Sequence, residues 1–535
     1  MTRLRRFFDT LRPWRRFGAG WRDWIPLGLV VALLALSGAA IWAGPWLTKR
    51  IGCNDGFPTA EIWSAGAECV GLSEGPYAFG LDEFAPVMQV IDRQNRAAAD
   101  KCDPTGTPVT VGVLMTMTDP SVGGRAVREL EGMAAGQLRA NGTGCLHPMR
   151  LVVGQIGRYD ESSNAVDVAR LLSDRADVVA VAGVGLSQQR TADVADLLAA
   201  AKIPMVADLV TAVGFDQNGS REDQPVFDGC DPDITYPRGI GNDYFYRVAY
   251  RTSVQIEQLG AVVPAKPDFI MVPTGGSDPY TCTTLPLMQR QFGGNVTEVK
   301  FDADELSTVP QTAKRVCGAP KDVTVAYVAR GRDMARFIQS LDEEFASGHC
   351  AASSVTVVST SDGKRLQAAE SDLHVEDLRN KALRSKSFTE GKVRLLATTI
   401  GGADRPQAGN PNFEVFQQTF AAAGFDPSHT DDGWAMNAYD AVATISQALR
   451  SLPANKPVQR SQVNTAINGF SSAESSVPGA GGPITFDNNG NRTGGVPLVM
   501  RVCSLRPAAA DQPPRTTGVV VRPGSAIPQC PGTDG

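Results

Sequence analysis

One stretch, residues 179–212, constrains the fold of this chain more than any other. It opens with the apolar, β-branched-rich run 179–184, which ends at glycines as a buried parallel strand commonly does. Apolar residues then recur at helical spacing between Val194 and Ala201, which predicts an amphipathic helix. A second apolar strand is predicted at 203–210. The pattern therefore indicates a strand–helix–strand unit of an open parallel sheet.

The turns of this unit are candidate binding elements. Gly183 and Gly185 allow the chain to turn sharply after the first strand. Ser187 follows at the expected N-cap position of the helix, where its hydroxyl would accept a first-turn N–H. Ligands of open parallel sheets bind outside the carboxyl ends of the strands, here at Ser187 and Thr211. Ser187 could therefore serve only as a helix cap, or it could also contact a ligand.

The alternation of strands and helices extends over most of the chain. One series runs from Val109 to Val263, and a second series of the same kind starts at Asp268. Such alternation predicts an α/β architecture with parallel sheets that helices cover on both faces. Because the two series meet near Ala265, we expect two similar lobes.

The amino-terminal region predicts a membrane anchor. Residues 25–47 carry no charge over 23 positions, which is long enough to span a bilayer, and Trp24 and Trp46 flank them. Seven arginines precede this run, so residues 1–24 are expected in the cytoplasm and the rest of the chain outside it. A cleaved signal peptide is the alternative, but Trp42 lies where its small-residue cleavage site would be. We expect an uncleaved, single-pass anchor in the cell membrane.

The charge of the exported part argues against a nucleic-acid partner. The first fifty residues hold nine of the 51 Lys and Arg residues and two of the 57 Asp and Glu residues. The remainder carries 42 basic against 55 acidic side chains, a net charge of −13. A body of that charge repels a phosphate backbone.

The number and the positions of the cysteines agree with an extracytoplasmic location. All ten cysteines follow the predicted anchor and no C-x-x-C pair occurs, which favours disulfides over metal or redox chemistry. Lipid modification of Cys53 is rejected, because Lys49–Gly52 is not an apolar recognition box. Disulfides between neighbours are one possibility, and several free buried thiols are the other. The pairs expected are Cys53–Cys69, Cys102–Cys145, Cys230–Cys282, Cys317–Cys350 and Cys503–Cys530.

Several short segments occur in a characteristic order. They are VTVGV (109–113), Glu131–Gly132, GVGLSQQRT (183–191), YFYRVAYRT (244–252), AYDAV (438–442) and GPITFDNNGNR (482–492). Together they resemble the type I periplasmic binding proteins of the branched-chain amino acid and amide class. The same fold forms the ectodomains of class C G-protein-coupled and natriuretic-peptide receptors. The resemblance covers about residues 108–503, and ECVGLSEGPYAF (68–79) with the arginine-rich anchor looks like a membrane-tethered actinobacterial branch.

The resemblance implies two lobes that close on a ligand. Three hinge crossings would join them, near residues 252–264, 398–402 and 476–482. The ligand-binding domain would span 108–505, with a juxtamembrane cap or spacer at 48–107 and a Pro/Ala-rich tail of little order at 506–535. The first lobe would comprise 108–255 and 430–475, and the second 265–400 and 480–503.

The resemblance also implies a ligand site in the cleft between the lobes. Two turns of the first lobe would meet an α-carboxylate, one of them at a helix N-terminus with its positive potential. The second lobe would supply an aromatic residue and an acid, with a further tyrosine on the crossing strand. The residues so implied are Leu186, Ser187, Gln188, Asp208, Thr211, Ala212, Tyr250, Tyr280 and Asp362.

Some of these residues have other interpretations. Tyr250 could be a core residue, Tyr280 a surface-loop residue and Asp362 a turn residue. Asp208 departs from the family pattern, because an acid near the expected carboxylate would favour a neutral or cationic ligand. Arg190, in the first helical turn, would instead add positive potential.

No catalytic or metal-binding motif occurs. The four histidines form neither H-E-x-x-H nor an i, i+4 pair, and the phosphate-binding G-x-x-x-x-G-K-[ST] loop and the G-x-S-x-G elbow are absent. We therefore expect no enzyme, catalytic residue, metal or cofactor. The leading hypothesis is a membrane-tethered protein that captures an amino acid or amide-like solute for an ABC permease. The alternative is a sensory or scaffolding ectodomain that binds a ligand or a protein partner without transport.

Overall fold

The computed structural model describes most of the chain after the predicted anchor. The described residues are 53, 61–100, 108–142, 146–159, 164–219, 236, 238–263, 266–274, 278–292, 296–302, 305, 307–402, 410–454, 456–505 and 512–531. The chain divides into two units, residues 1–67 and 68–535. The first unit contains the strand β1 (Ile62–Ala65), and the second contains the other described elements.

The strands of the second unit form two large sheets and one small hairpin. They are β2 (Glu68–Ser73), β3 (Val109–Met115), β4 (Met149–Gln155), β5 (Val178–Val184), β6 (Met205–Ala207), β7 (Phe245–Arg247), β8 (Phe269–Thr274), β9 (Thr297–Asp302), β10 (Val323–Tyr327), β11 (Val355–Ser359), β12 (Val393–Thr398), β13 (Val477–Gly479), β14 (Gly482–Ile484), β15 (Val499–Leu505) and β16 (Arg515–Val521).

Helices connect these strands. They are α1 (Ala85–Asp100), α2 (Arg125–Gly142), α3 (Asn164–Asp174), α4 (Gln189–Ala200), α5 (Thr252–Val262), α6 (Pro279–Phe292), α7 (Thr308–Cys317), α8 (Met334–Ala346), α9 (Leu373–Arg384), α10 (Lys386–Thr389), α11 (Pro411–Ala422), α12 (Trp434–Arg450) and α13 (Arg460–Asn468).

The two sheets repeat one strand order, which confirms the predicted pair of α/β lobes. Within the second unit, the first sheet runs β2-β4-β3-β5-β6-β7, and the other runs β16-β15-β12-β11-β10-β8-β9. The series β3 to β7 and β8 to β12 are parallel throughout. In each sheet the first strand of its series lies between the second and the third. Such a reversal opens a crevice at the carboxyl ends of the strands, where ligands bind in open α/β sheets.

The hydrophobic patterns that predict these strands place them in the cores. Every residue of β3, β5 and β11 is buried, as expected for parallel strands that helices cover on both faces. In the second lobe, Phe337 and Leu341 of α8 pack with Val357 in one apolar cluster. Burial of these large side chains, at about 1.5–3 kcal/mol each, is the main favourable term that holds the helices on the sheets.

Three connections join the lobes: residues 248–251, 399–402 and 493–498. They lie side by side, because the Tyr250 N–H donates to the Ile400 carbonyl over 2.9 Å and the Thr399 N–H donates to the Leu498 carbonyl over 2.8 Å. The second connection lies where the resemblance places it.

The other two predicted crossings are wrong. Residues 252–262 form α5, which packs against α6 and β12 in the second lobe, so the chain has already crossed when this helix begins. Residues 476–482 lie in the β13–β14 hairpin, which packs on α12 beside the first lobe. The third crossing follows this hairpin, because β14 pairs with β13 while β15 joins the second sheet.

Two segments predicted as peripheral belong to the lobes. β2 pairs antiparallel with β4, and α1 packs against α2, so residues 68–100 are part of the first lobe and not a spacer. The tail is not without structure either, because β16 pairs with β15 over seven residues and completes the second sheet. The β-branched residues of RTTGVVV (515–521) are the sequence signal for this strand. The prediction of little order was based on the Pro and Ala content of the tail and overlooked them.

The structure tests only part of the export predictions. Cys317–Cys350 and Cys503–Cys530 are disulfide-bonded as predicted, with Cα atoms 4.5 and 5.5 Å apart. Cys53, Cys69 and Cys282 are also in disulfides, and no described cysteine is free. Cys102, Cys145 and Cys230 lie outside the described residues. No described helix is long and apolar enough to cross a membrane, and the predicted anchor at 25–47 also lies outside them.

Candidate functional site

The two lobes contact each other where their strands end, and we call this contact region the cleft. The turn after β5 and the start of α2 contribute from the first lobe. The turns after β8, β10 and β11 contribute from the second lobe. Ser187 and Asp362, two of the residues that the resemblance implies, therefore lie at the carboxyl ends of strands in opposite lobes.

Ser187 does not cap the helix that follows it. α4 begins one residue later than expected, with the extended residue Gln188 at its N-cap and no side-chain cap. The buried Ser187 hydroxyl instead accepts hydrogen bonds from the backbone N–H groups of Thr211 and Ala212, each over 3.0 Å. The hydroxyl therefore links the two predicted ligand turns through hydrogen bonds.

Ser187→Ala is expected to lower the unfolding free energy by about 1–3 kcal/mol, because two buried N–H groups lose their acceptor. The same loosening should weaken binding of any cleft ligand by about 1–2 kcal/mol. Urea denaturation and calorimetric titration measure the two effects. Ser173→Ala, which removes an exposed hydroxyl on α3, is the control. A Ser187→Ala protein as stable as this control would contradict the linking role.

Arg330 of the second lobe makes a contact with the first lobe. It follows β10, is largely buried, and donates from one terminal nitrogen to the Ser187 carbonyl and to the Asp278 carboxylate, both over 2.9 Å. Its guanidinium lies 4.4 Å above the Tyr280 ring. Burial by itself lowers the pKa of Arg330. The nearby carboxylates of Asp278 and Asp362 have the larger combined effect and raise this pKa above its usual value. Arg330 therefore stays cationic in the cleft.

A second cation approaches the same acid from the first lobe. Arg125, at the start of α2, lies 3.5 Å from the Asp362 carboxylate and 4.0 Å above the Trp434 ring. Arg330 lies 3.6 Å from the other oxygen of Asp362. Burial lowers the pKa of Arg125 to about 10, so it also remains charged at neutral pH. Asp362 thus lies between two arginines from opposite lobes.

Further polar contacts close the cleft. Arg365 binds Glu370 through both carboxylate oxygens and reaches the Ser121 carbonyl of the first lobe over 3.0 Å. Gln188 donates to Asp278 over 3.4 Å. Within the described part of the chain, no group of three or more metal-ligating side chains occurs. The charged side chains that face each other across the cleft are suited to recognising a charged group.

Asp208 lies beneath the turn after β6 and not in the cleft. It is fully buried beside Glu129 of α2. Burial raises the pKa of Asp208 to about 7, and burial together with Asp208 raises the pKa of Glu129 well above its usual value. At least one of the two carboxyl groups is therefore protonated near neutral pH. Because this proton reduces the local negative charge, Asp208 is a weaker argument for a cationic ligand than the sequence suggested.

The buried carboxyl pair predicts a pH-dependent stability. Both pKa values are raised on folding, so the folded state holds more protons above pH of about 4, where an unfolded Asp titrates. The stabilisation is complete below that pH and is lost as pH rises through about 7. We expect the unfolding free energy to fall in this interval by at most about 1.4 kcal/mol per pH unit for each proton. Asp208→Asn should flatten the fall in urea titrations, and parallel curves for the two proteins would contradict the raised pKa of Asp208.

The remaining predicted residues have mixed locations. Tyr280 is buried in the cleft, where its hydroxyl contacts that of Thr360. Tyr250 lies in the hinge instead, with its hydroxyl bound to the Gly494 carbonyl, so the core interpretation is the better one. Leu186 is buried, and its N–H binds the Tyr159 hydroxyl over 2.6 Å. Arg190 pairs with Asp193 along α4 over 3.1 Å and does not reach the cleft.

The residues that sequence reasoning missed are mainly cations. Arg125, Arg330, Lys364 and Arg365 are all buried or largely buried at the cleft side of the lobes. Their positions carried a usable signal, because Arg330 lies shortly after the buried strand β10 and Lys364-Arg365 follow the Asp362 turn. A charged residue at the carboxyl end of a parallel strand is a candidate ligand contact.

Comparisons with known proteins place this fold. Neither a protein-family model nor a curated protein sequence matches the chain. An ABC transporter substrate-binding protein from Desulfitobacterium hafniense, solved with Leu, is 14% identical at a TM-score of 0.51, with 77% of this chain and 100% of that chain covered. A leucine-binding protein from Thermotoga maritima is 17% identical at a TM-score of 0.50, with 78% and 99% covered.

A third solved structure holds a different ligand. A solute-binding protein of an ABC transporter from Rhodopseudomonas palustris, in complex with 3,4-dihydroxybenzoic acid, is 14% identical at a TM-score of 0.51, with 79% of this chain and 99% of that chain covered. At such identities the likeness concerns the fold. The described residues between 68 and 531 therefore adopt the two-lobed fold of type I solute-binding proteins.

Proposed function

We propose that this protein is a solute-binding protein that closes its two lobes on a small ligand bearing a carboxylate. The observation that carries the proposal is the position of Asp362, an acid held between Arg125 and Arg330 from opposite lobes. A ligand carboxylate that enters this position would replace one buried anion by another. Planar guanidinium groups bind carboxylates well, and their hydrogen bonds to charged acceptors are stronger than neutral ones.

The ligands of the structural neighbours support a carboxylate. Leucine and 3,4-dihydroxybenzoic acid, which two of them hold, share this group and little else. Either an amino acid or an aromatic acid would therefore satisfy the two arginines. Tyr280, with Arg330 stacked on its ring, offers an aromatic surface for the rest of such a ligand.

The proposed role includes a membrane tether and a permease. The uncharged run at 25–47 would hold the protein on the outer side of the cell membrane, and the lobes would deliver solute to an ABC permease. Extraction of membranes with carbonate tests the tether, because a peripheral protein is released and a spanning one is retained.

One observation favours the second candidate, a sensory or scaffolding ectodomain that binds a partner without transport. Arg125, Arg330 and Arg365 each contact the opposite lobe directly, so protein groups alone already close the cleft. A ligand would then shift the equilibrium between open and closed lobes only if it binds one of the two states more tightly than the other.

A thermal-shift screen of the full-length protein in detergent tests the proposal. Each carboxylate should be paired with its neutral counterpart: leucine with leucinol, and 4-hydroxybenzoate with 4-hydroxybenzyl alcohol. A ligand at about 100 times its dissociation constant adds about 2.7 kcal/mol, which raises the melting temperature by a few degrees. Shifts with acids but not with alcohols support the carboxylate site. No shift from any compound would reject it in favour of the sensory candidate.

A further inference from the structure

Two arginines of the second lobe are diagonal neighbours on adjacent strands. Leu396 of β12 pairs with Arg501 of β15, and Arg394 precedes Leu396 by two residues, which places it on the same face of the sheet. The cleft lies at the carboxyl ends of the parallel strands, whereas Arg394 is the second residue of β12. The two arginines therefore lie away from the cleft, toward the amino ends of these strands.

Arg501 is a buried cation without an anion. It is 5% exposed, and its Nε is buried without a hydrogen bond. Its single hydrogen bond to a described residue runs from a terminal nitrogen to the Pro528 carbonyl over 2.6 Å. Buried charges are normally paired. Every other buried arginine of the described chain does pair with a carboxylate, and these are Arg125, Arg128, Arg247, Arg365, Arg379 and Arg492.

The neighbour of Arg501 is a second cation. The Nε of Arg394 donates to the Gly391 carbonyl over 2.8 Å, and the Nη2 of Arg501 lies 2.8 Å from the position that a β-carbon would have at Gly391. Both guanidinium groups are therefore next to this glycine. Burial, and then the charge of Arg394, lower the pKa of Arg501. Like charges on neighbouring strand positions repel, and an anion between them would remove the repulsion.

Two acids of the same region do not supply that anion. Glu390 pairs with Lys386 over 3.7 Å. The Asp322 carboxylate accepts hydrogen bonds from two serine hydroxyls, and each of these bonds lowers the pKa of Asp322 more than the charge of Arg394 does. In the part of the chain that the structure describes, neither acid forms an ion pair with Arg394 or Arg501.

The segment after β16 covers Arg501 but leaves donors at the surface. Cys530 is disulfide-bonded to Cys503 of β15, and Pro528 accepts from Arg501, so this segment lies over the strand. Arg394 is only partly buried, and its two terminal nitrogens make no hydrogen bond to a described residue. The Nη2 of Arg501 is also without such a bond and is not among the buried atoms. Donors of both arginines are thus accessible at one place.

We infer that Arg394 and Arg501 form a second binding site, for a phosphate group that accepts hydrogen bonds from both guanidinium groups. Guanidinium groups match the geometry of phosphate oxygens, and a phosphate group carries close to two negative charges at neutral pH. One such group neutralises both arginines, which a single carboxylate does not. The site is independent of the cleft function, because it uses neither the cleft side chains nor the strand ends that carry them.

Inorganic phosphate and glycerol 3-phosphate are the probes, in calorimetric titrations of the full-length protein in detergent at low salt. Arg394→Gln should weaken binding of the tighter probe by about tenfold or more, the factor that corresponds to 1.4 kcal/mol. Arg501→Gln should have an effect at least as large. Because Arg394 is only partly buried, its variant decides the question even if the Arg501 variant fails to fold. Arg170→Gln removes an exposed arginine of α3 in the first lobe, and this matched control should bind as the wild type does.

Arg330→Met separates this site from the cleft, and phosphate should bind to that variant as tightly as to the wild type. Three results would overturn the inference: equal binding to Arg394→Gln and Arg170→Gln, binding lost in Arg330→Met alone, or no binding of either probe to the wild type. If the inference holds, tighter binding of glycerol 3-phosphate identifies the ligand as a phosphate monoester, and equal or weaker binding identifies it as free phosphate.

Discussion

Replacing Arg330 with methionine should open the lobes and reduce affinity for a cleft ligand by about 100-fold or more. The guanidinium makes the contact to the Ser187 carbonyl across the cleft and holds Asp278 and Asp362 on its own side. Methionine keeps a long apolar stem but leaves buried carboxylates without this cation. Removal of one partner from a buried ion pair costs about 3–5 kcal/mol, which exceeds the 2.8 kcal/mol that a 100-fold loss represents.

Small-angle X-ray scattering of the full-length protein reports the opening as a larger radius of gyration, and calorimetry with the best acid of the screen reports the affinity. Arg332→Met is the control, because Arg332 is exposed two residues further along the same segment. Arg125→Met should act in the same direction, since Asp362 then loses its ion pair with the first lobe. An Arg330→Met protein with the dimensions and affinity of the wild type would show that the cross-lobe contact does not hold the cleft closed.

The second large effect concerns the packing of the first lobe. Gly132→Ala should lower the unfolding free energy by about 3 kcal/mol, at the upper end of the usual range for overpacking. Gly132 lies where α2 crosses α12, and a methyl group there would collide with the backbone carbonyl of Ala435. A backbone atom cannot rotate away as a side chain can, so the two helices would have to separate.

Gly142→Ala is the matched control on the same helix. Apart from its own helix and its chain neighbours, no described heavy atom lies within 4 Å of a methyl group at Gly142, and its backbone needs no left-handed conformation. That change should leave stability unaltered or raise it by about 0.5–1 kcal/mol, because alanine favours the helix. Urea denaturation measures the unfolding free energy of both variants. Equal stability of the two would mean that the close approach of α2 and α12 is not present in solution.

Much of the fold was predictable because it depends on local patterns. The apolar run ending at Gly183 and Gly185 determines a buried parallel strand and a tight turn wherever it lies in the molecule. Helical spacing from Val194 to Ala201 determines one face of α4 in the same way. Repetition of these units then implies two parallel sheets, and both are present in the order expected for doubly wound folds.

The third crossing was misplaced because the strand that follows it has a partner distant in the sequence. β15 pairs with β12, about a hundred residues earlier. β16 was missed for a different reason, because the Pro and Ala content around it was given more weight than its β-branched run, although its partner β15 is the preceding strand. Strand pairing depends on which neighbouring strand can form a complete ladder of backbone hydrogen bonds and bury its apolar face. The local sequence pattern does not determine which strand that is.

The candidate site divides in the same way. The sequence by itself determined the turn at Gly185–Ser187, the strand ends that surround a cleft and the presence of an acid at Asp362. Only the tertiary structure decided that Arg125 and Arg330, which lie on different lobes, meet at that acid, and that Ser187 binds the next turn and not its own helix. Helices and strands follow from interactions over a few residues, whereas a charged cleft depends on side chains that approach only after both sheets have formed and the hinge has set their distance.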